Sequence, residues 1–262
     1  MAGLVDGKSI IVTGAGSGIG AAIAADLAAE GGKVVVADIN VDGATRVAAE
    51  IGRGGGTAIA VGVNVIDRAG IRAAIAAAVK AFGRLDVIFN NAGISKARPF
   101  LETDEDDWRR IIDVNGLGVL IGVQEAAKQF IAQKSGGKII NTASIVGEQG
   151  DAIAAVYSAS KAAVISITQS AAKELGGFGI TVNCFSPGFV RTTLWDGLDN
   201  DLMAAGIRSE RGIVDKLAKD KAVLGRTSTP ADLVGTTTFL ASSKSDYITG
   251  HNLLVDGGVL FI

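Results

Sequence analysis

Short runs of β-branched residues alternate with alanine-rich segments along almost the whole chain, and that alternation leaves few folds open. KSIIV is followed by GIGAAIAADLAAE, KVVVAD by VDGATRVAAEI, and TAIAVGV by AGIRAAIAAAVKAF. Apolar residues fill the short runs completely and recur at helical spacing in the longer ones. A strand that is apolar on both faces belongs inside a parallel sheet, and parallel neighbours need helical crossovers. The rhythm continues through LDVIFNNAG, a long segment around 104 to 134, GKIINTAS, a helix from about 152 to 176, and GITVNCFSPG. NLLVDGG, near 252 to 258, makes a seventh strand.

The pattern predicts an α/β chain with a single-domain Rossmann fold: a doubly wound, seven-stranded parallel sheet with helices on both faces. No Pro-rich or charged linker divides the 262 residues, so one domain is expected over 1 to 262. Only the segment at about 188 to 225, after the sixth strand, breaks the rhythm. It is polar with two weak helical patterns, and long excursions of this kind often serve as substrate lids.

Lys and Arg total 25 against 27 Asp and Glu, so no basic footprint suggests a nucleic-acid partner. The apolar stretches are broken before the roughly 18 to 20 residues of a membrane span, and MAGLVDGKS lacks a basic leader. A cytoplasmic protein with a small-molecule partner and no membrane contact is the expectation. Cys184 is the only cysteine and His251 the only histidine, a poor supply of ligands for a zinc-dependent dehydrogenase; no metal is expected.

The first strand runs into Thr13, Gly14, Ala15, Gly16, Ser17, Gly18, Ile19 and Gly20, and then directly into a helix. Glycines there let the backbone turn sharply and approach a pyrophosphate, whose charge the helix N-terminus favours. Asp38 ends the second strand, where a carboxylate accepts from an adenosine ribose and repels a 2′-phosphate. With no Lys or Arg in residues 13 to 20, and Asn40 following, NAD is expected rather than NADP. The competing reading is that Asp38 merely caps the next helix.

Tyr157 and Lys161, in YSASK, stand at i and i+4 near a predicted helix start. A free tyrosine is a poor base at neutral pH, but a neighbouring ammonium favours the phenolate and lowers its pKa. Alone the pair means little, because solvated helix faces produce it often. Ser144, at the end of the GKIINTAS strand, adds a hydroxyl at the sheet edge where open α/β sheets bind ligands.

Taken in order, TGAGSGIG at 13 to 20, Asp38, NNAG at 90 to 93, Asn115 in DVNGLG, Ser144, YSASK at 157 to 161 and PGFVRT at 187 to 192 resemble the short-chain dehydrogenase/reductase family over essentially the whole chain. The resemblance implies a catalytic tetrad of Asn115, Ser144, Tyr157 and Lys161. Ser144 orients the substrate oxygen, Tyr157 exchanges the proton, Lys161 holds the nicotinamide ribose, and Asn115 holds a relay water. A plainer reading of Asn115 is a polar helix residue bonded to a neighbouring strand. By the same likeness Gly14, Ser17, Gly18, Ile19 and Gly20 meet the pyrophosphate side of the cofactor. Asn64 and Val65 lie at the adenine, Asn91, Ala92 and Gly93 flank the ribose, and Pro187, Gly188, Val190 and Thr192 reach the carboxamide end. Asn64 stands where the family commonly has Asp, and NCFSPG replaces a more apolar run, with Cys184 expected to be buried and unreactive.

TTLWDGLDNDL is similar to the lid of bacterial polyol dehydrogenases and acetoin/2,3-butanediol dehydrogenases. That likeness, with Glu148, Gln149 and Trp195 as candidate substrate contacts beside Ser144 and Tyr157, points to a sugar alcohol or small vicinal diol. A 3-oxoacyl thioester or hydroxysteroid substrate is the alternative within the same chemistry. A catalytically silent NAD-binding sensor or structural subunit is the alternative of another class. The resemblance also implies a homotetramer.

Overall fold

Ile10 and Val12 face one side of the first strand and Ile11 the other, and all three are buried, as a strand covered by helices on both faces requires. The computed structural model describes residues 3–262. Its first half alternates β1 (Ser9–Thr13), α1 (Gly18–Ala29), β2 (Lys33–Asp38), α2 (Val41–Arg53), β3 (Thr57–Gly62), α3 (Arg68–Phe82) and β4 (Val87–Asn90). The second half follows with α4 (Glu105–Ile112), α5 (Gly118–Gln133), β5 (Gly137–Thr142), α6 (Ala155–Leu175) and β6 (Ile180–Pro187). It ends with α7 (Thr193–Ala204), α8 (Ile213–Lys221), α9 (Ala231–Ala241) and β7 (Asn252–Val255).

All seven strands pair in parallel in the order β3-β2-β1-β4-β5-β6-β7. The chain winds outward from β1 to β3, then returns to start again at β4 on the other side of β1. That reversal opens a crevice beyond the carboxyl ends of β1 and β4, the place where such sheets bind ligands. One apolar core holds Ile11, Val35, Ile88 and Ile139 against α3, α5 and α6. The other holds Ile10, Val12, Val34 and Phe89 against α1, α2 and α9. Among the described residues no helix is long and apolar enough to cross a membrane.

Three boundaries differ from the sequence reading. The segment around 104 to 134 is two helices joined by a π-helical turn, Asp113–Leu117. Helix α6 starts at Ala155 because Asp151 first accepts from the Ile153 N–H in a local turn. Strand β7 stops at Val255, where the Asp256 carboxylate accepts from Gly258 N and Leu260 N while Gly257 and Gly258 take positive φ.

The irregular segment forms α7 and α8, which pack on a small core of their own. Ala97, Leu202 and Ile213 are buried there, with Ile153, Trp195, Leu198 and Leu217 against them. Two carboxylates fix its shape. Asp199 accepts from Gly212 N and Ile213 N, supplying the N-terminal cap that Gly212 cannot give α8. Asp201 accepts from Lys96 Nζ and Ala97 N, fastening α7 to the segment after β4.

Candidate active site

The carboxyl ends of β1, β4 and β5 are bonded together before any ligand is considered. Thr13 Oγ1 donates to Phe89 O at 3.1 Å and accepts from Asn91 N at 3.0 Å and Ala92 N at 3.2 Å. Asn91 Nδ2 donates to Thr13 O at 3.0 Å, and its Oδ1 accepts from Thr142 Oγ1 at 3.2 Å. The side chain of Asn91 is thus spent on structure. Neither bond set was foreseen from sequence, because the partners lie more than 50 residues apart.

A cleft of about 540 Å³ opens above these strand ends, lined by Gly14, Ser17, Gly18, Ile19, Gly20, Asp38, Asn64, Val65, Asn91, Ala92, Gly93, Tyr157, Lys161 and Thr192 among others. Gly14 has φ +66°, and a Cβ on Gly20 would stand 2.3 Å from Gly14 O, so the tight turn requires glycine at both. Helix α1 begins inside this cleft, and Ser17 at its N-cap makes no capping bond with its side chain. Its first N–H groups are left to an anion. The residues therefore fit a dinucleotide.

Asp38 does not cap α2; Asn40 does, accepting from Gly43 N. Asp38 instead accepts from Gly16 N at 2.8 Å and from Asn40 N at 2.8 Å, holding the glycine turn to the end of β2. Arg46, the cation nearest this turn, is committed to Gly16 O and Glu50. Asn64 Oδ1 accepts from Ile66 N, so at that position too the side chain serves its own loop.

Tyr157 enters from the first turn of α6 and Ser144 from the end of β5. Lys161 is buried, donates from Nζ to Thr142 O at 2.7 Å, and lies 5.6 Å from the Tyr157 ring centroid. The expectation that this lysine depresses the tyrosine pKa is not met in this geometry. Burial pushes the Tyr157 phenol up to about 12, offset only in part by the Ser144 hydroxyl beside it. Burial likewise pushes the Lys161 ammonium down to about 8. With the ammonium turned to a carbonyl rather than to the phenol, desolvation wins. Tyr157 is a proton-bearing group at neutral pH.

Asn115 sits in the π-helical turn, fully buried. Its Nδ2 donates to Ile94 O and Ser160 Oγ, both at 2.9 Å, and its Oδ1 accepts from Ile94 N at 2.9 Å. The turn adds one residue to the helical repeat, which aims this side chain at the strand end; such bulges recur at functional sites. Asn115 thereby clamps the segment after β4 to α6. Its bonds are structural, as the plainer reading has it, but they go to the segment after β4 and to α6 rather than to a strand.

A second, smaller cavity of about 140 Å³ adjoins the cleft and shares Ile19, Ser95, Thr142, Tyr157, Thr192 and Leu194 with it. Ser144, Tyr157, Pro187, Gly188, Val190 and Trp195 line it, as do Phe189, Leu198, Leu202, Ile213 and Leu217. Glu148 and Gln149 do not. Both are exposed, and Glu148 Oε1 accepts from Asn252 Nδ2 at 2.7 Å. The 3₁₀ turn Ile145–Gly147 after Ser144 carries the following residues away from the cavity. Asp151 and Ser95 line it instead, and the Ser95 hydroxyl is buried without a partner among the described residues. Cys184 is buried, and burial pushes its thiol up to about 12, which leaves it unreactive.

Comparison with known proteins agrees with this geometry. A family model described as enoyl-(acyl carrier protein) reductase matches residues 14–260. A diacetyl reductase [(S)-acetoin forming] of Staphylococcus epidermidis is 40% identical over 97% of this chain and 99% of its own. An L-2,3-butanediol dehydrogenase of Corynebacterium glutamicum is also 40% identical, over 97% and 99%. A 3-oxoacyl-[acyl-carrier-protein] reductase of Staphylococcus aureus is 39% identical over 96% and 98%. The solved structure of a short-chain type dehydrogenase/reductase from Mycobacterium marinum superimposes with a TM-score of 0.88 at 33% identity, covering 98% of this chain and 97% of that one. With the strand-end crevice, the glycine turn and the Ser144, Tyr157 and Lys161 cluster all in place, the chain belongs to the short-chain dehydrogenase/reductase family.

Proposed function

We propose that this enzyme is an NAD-dependent oxidoreductase that interconverts small vicinal diols with their hydroxyketones, and hydroxyketones with diones. The observation that carries this reading is the small chamber beside the dinucleotide cleft. Its walls are mainly apolar, with Ser144 in the wall and Tyr157 where it meets the cleft. A sugar alcohol would leave many hydroxyls unpaired against Leu198, Leu202, Ile213 and Leu217, whereas a four-carbon diol would not. The diacetyl reductase and butanediol dehydrogenase relatives support the same substrate class.

Gly14, Ser17, Gly18, Ile19 and Gly20 would hold the pyrophosphate, Asn64 and Val65 the adenine side, and Asn91, Ala92 and Gly93 the ribose through backbone atoms. Pro187, Gly188, Val190 and Thr192 would meet the other end. Bound there, the nicotinamide supplies the hydride acceptor or donor. Asp38 selects NAD, since its charge opposes a 2′-phosphate and among the described residues no cation but Lys161 lines the cleft. In reduction, Tyr157 donates its phenolic proton to the carbonyl oxygen while Ser144 hydrogen-bonds the same oxygen. Lys161 would hold the ribose hydroxyls and support the phenolate left behind, and Asn115 would hold the water that links Lys161 to solvent. The segment 188 to 225 acts as the lid. A cytoplasmic homotetramer built on α5 and α6 completes the proposal, with Leu117, Leu120 and Ile131 exposed along that stretch.

The test is a substrate panel of diacetyl, acetoin, 2,3-butanediol isomers, a sugar alcohol and a 3-oxoacyl thioester, each with both nicotinamide cofactors. The C4 compounds with NAD(H) should be preferred, and Tyr157→Phe should lower kcat by about 10²- to 10⁴-fold while the dinucleotide still binds. A 3-oxoacyl thioester turned over best would replace the diol reading with the acyl one. Dinucleotide binding without turnover of any substrate would favour the sensor.

A further inference from the structure

Among the described residues one charged side chain lines the substrate cavity, that of Asp151. It lies in the turn between Ser144 and α6, and several bonds hold it there. Its Oδ1 accepts from Ile153 N at 3.1 Å, its carbonyl accepts from Ala154 N, and its own N–H donates to Ser158 Oγ at 3.2 Å, one residue beyond Tyr157. No donor among the described residues meets its Oδ2, and no Lys or Arg lines the cavity. A carboxylate held beside the proton-transfer residue in a mainly apolar chamber therefore keeps one acceptor oxygen for whatever enters.

Resting on the vicinal-diol reading above, we propose that Asp151 is a specificity-determining residue. It reads the substrate's second oxygen as a hydroxyl, and so selects hydroxyketones and diols against diones. An ionised carboxylate accepts hydrogen bonds and cannot donate them. The hydroxyl of a hydroxyketone satisfies it; the second carbonyl of a dione brings two acceptors together and leaves both unpaired inside a poorly solvated chamber. Ser95 lines the same cavity on a segment tied to the Asp151 turn by the bond from Arg98 N to Ile153 O at 2.8 Å, which fixes this wall around the carboxylate.

Asp151→Asn tests this with little disturbance, because the amide oxygen still accepts from Ile153 N while the free acceptor becomes an N–H₂ donor. The measurement is kcat/KM with NADH for acetoin and for diacetyl, in the native enzyme and the variant, with 2-butanone as a reference that lacks the second oxygen. The acetoin to diacetyl ratio should fall about tenfold in Asp151→Asn, mainly through KM, the scale of one hydrogen bond made or lost to a charged group. A ratio that stays within twofold of the native value, or moves toward acetoin, overturns the role of Asp151 and leaves the vicinal-diol reading standing. A native enzyme that handles neither C4 dioxygen compound better than 2-butanone overturns that reading, and this inference with it.

Discussion

The dinucleotide cleft and the substrate cavity meet at Tyr157, yet they are made of different material. The cleft is made chiefly by backbone: strand ends pinned through Thr13 and Asn91, a glycine turn, and a helix N-terminus whose serine makes no side-chain capping bond. It rests on the two large cores that enclose the sheet. The cavity is made chiefly by side chains from α7, α8 and two loops, and it rests on a core of three buried residues. Backbone geometry suits a ligand shared by many enzymes, while side chains on a thinly supported segment can be exchanged without disturbing the sheet. The difference between the two regions is one of how much structure each change must carry with it.

That contrast can be broken at three points. The largest effect is expected at Gly20→Ala, whose Cβ would sit 2.3 Å from Gly14 O and 2.6 Å from Asn91 Nδ2, both fixed parts of the turn. Overpacking of this kind costs roughly 1–3 kcal/mol, so dinucleotide affinity by titration calorimetry should fall by on the order of 100-fold. Near-native affinity would show the turn to be softer than described. Leu202→Ala, in the small core under α7, should act on the other side. We expect the KM for the C4 substrate to rise about tenfold, a fraction of the cost of truncating a buried leucine, with dinucleotide affinity within twofold of native. A matching loss of dinucleotide binding would mean the two regions are one unit.

The smallest effect belongs to the junction itself. Lys161 is held near 8 and Tyr157 near 12, so below pH 8 the lysine is charged and the tyrosine carries its proton. As pH rises through 8 the ammonium is lost while the phenol still holds its proton, and reduction loses its support for the developing phenolate. Rate in the reduction direction should be nearly flat below about pH 7 and about threefold lower at about pH 8.4 than at about pH 7. A profile that stays level through that range would place the lysine pKa elsewhere in the working enzyme.

The parts of the site legible in the sequence are those made by neighbours in the chain. Gly14, Ser17, Gly18 and Gly20, Asp38 at a strand end, and Tyr157 with Lys161 one helical turn later are local spacings, and each lands in the cleft. Glu148 and Gln149 failed as cavity residues because a 3₁₀ turn after Ser144 changes the direction of the chain. Asp151 and Ser95 are not singled out by spacing, since only packing brings them to the same cavity. Helix α9 gave little periodic signal. Its run Thr236 to Thr238 is a weak helix former, and Thr237 and Thr238 are buried by bonding to Val234 O and to Asp26.

What the sequence alone determined is the alternation of buried strands with covering helices, and with it the parallel sheet, the crevice and the residues at its rim, because period and spacing are properties of one chain segment at a time. What only the tertiary structure decided is the charge state of Tyr157 and Lys161 and the makeup of the cavity. Desolvation depends on everything that surrounds a group, and the walls of this cavity come from segments as far apart as Ile19 and Leu217.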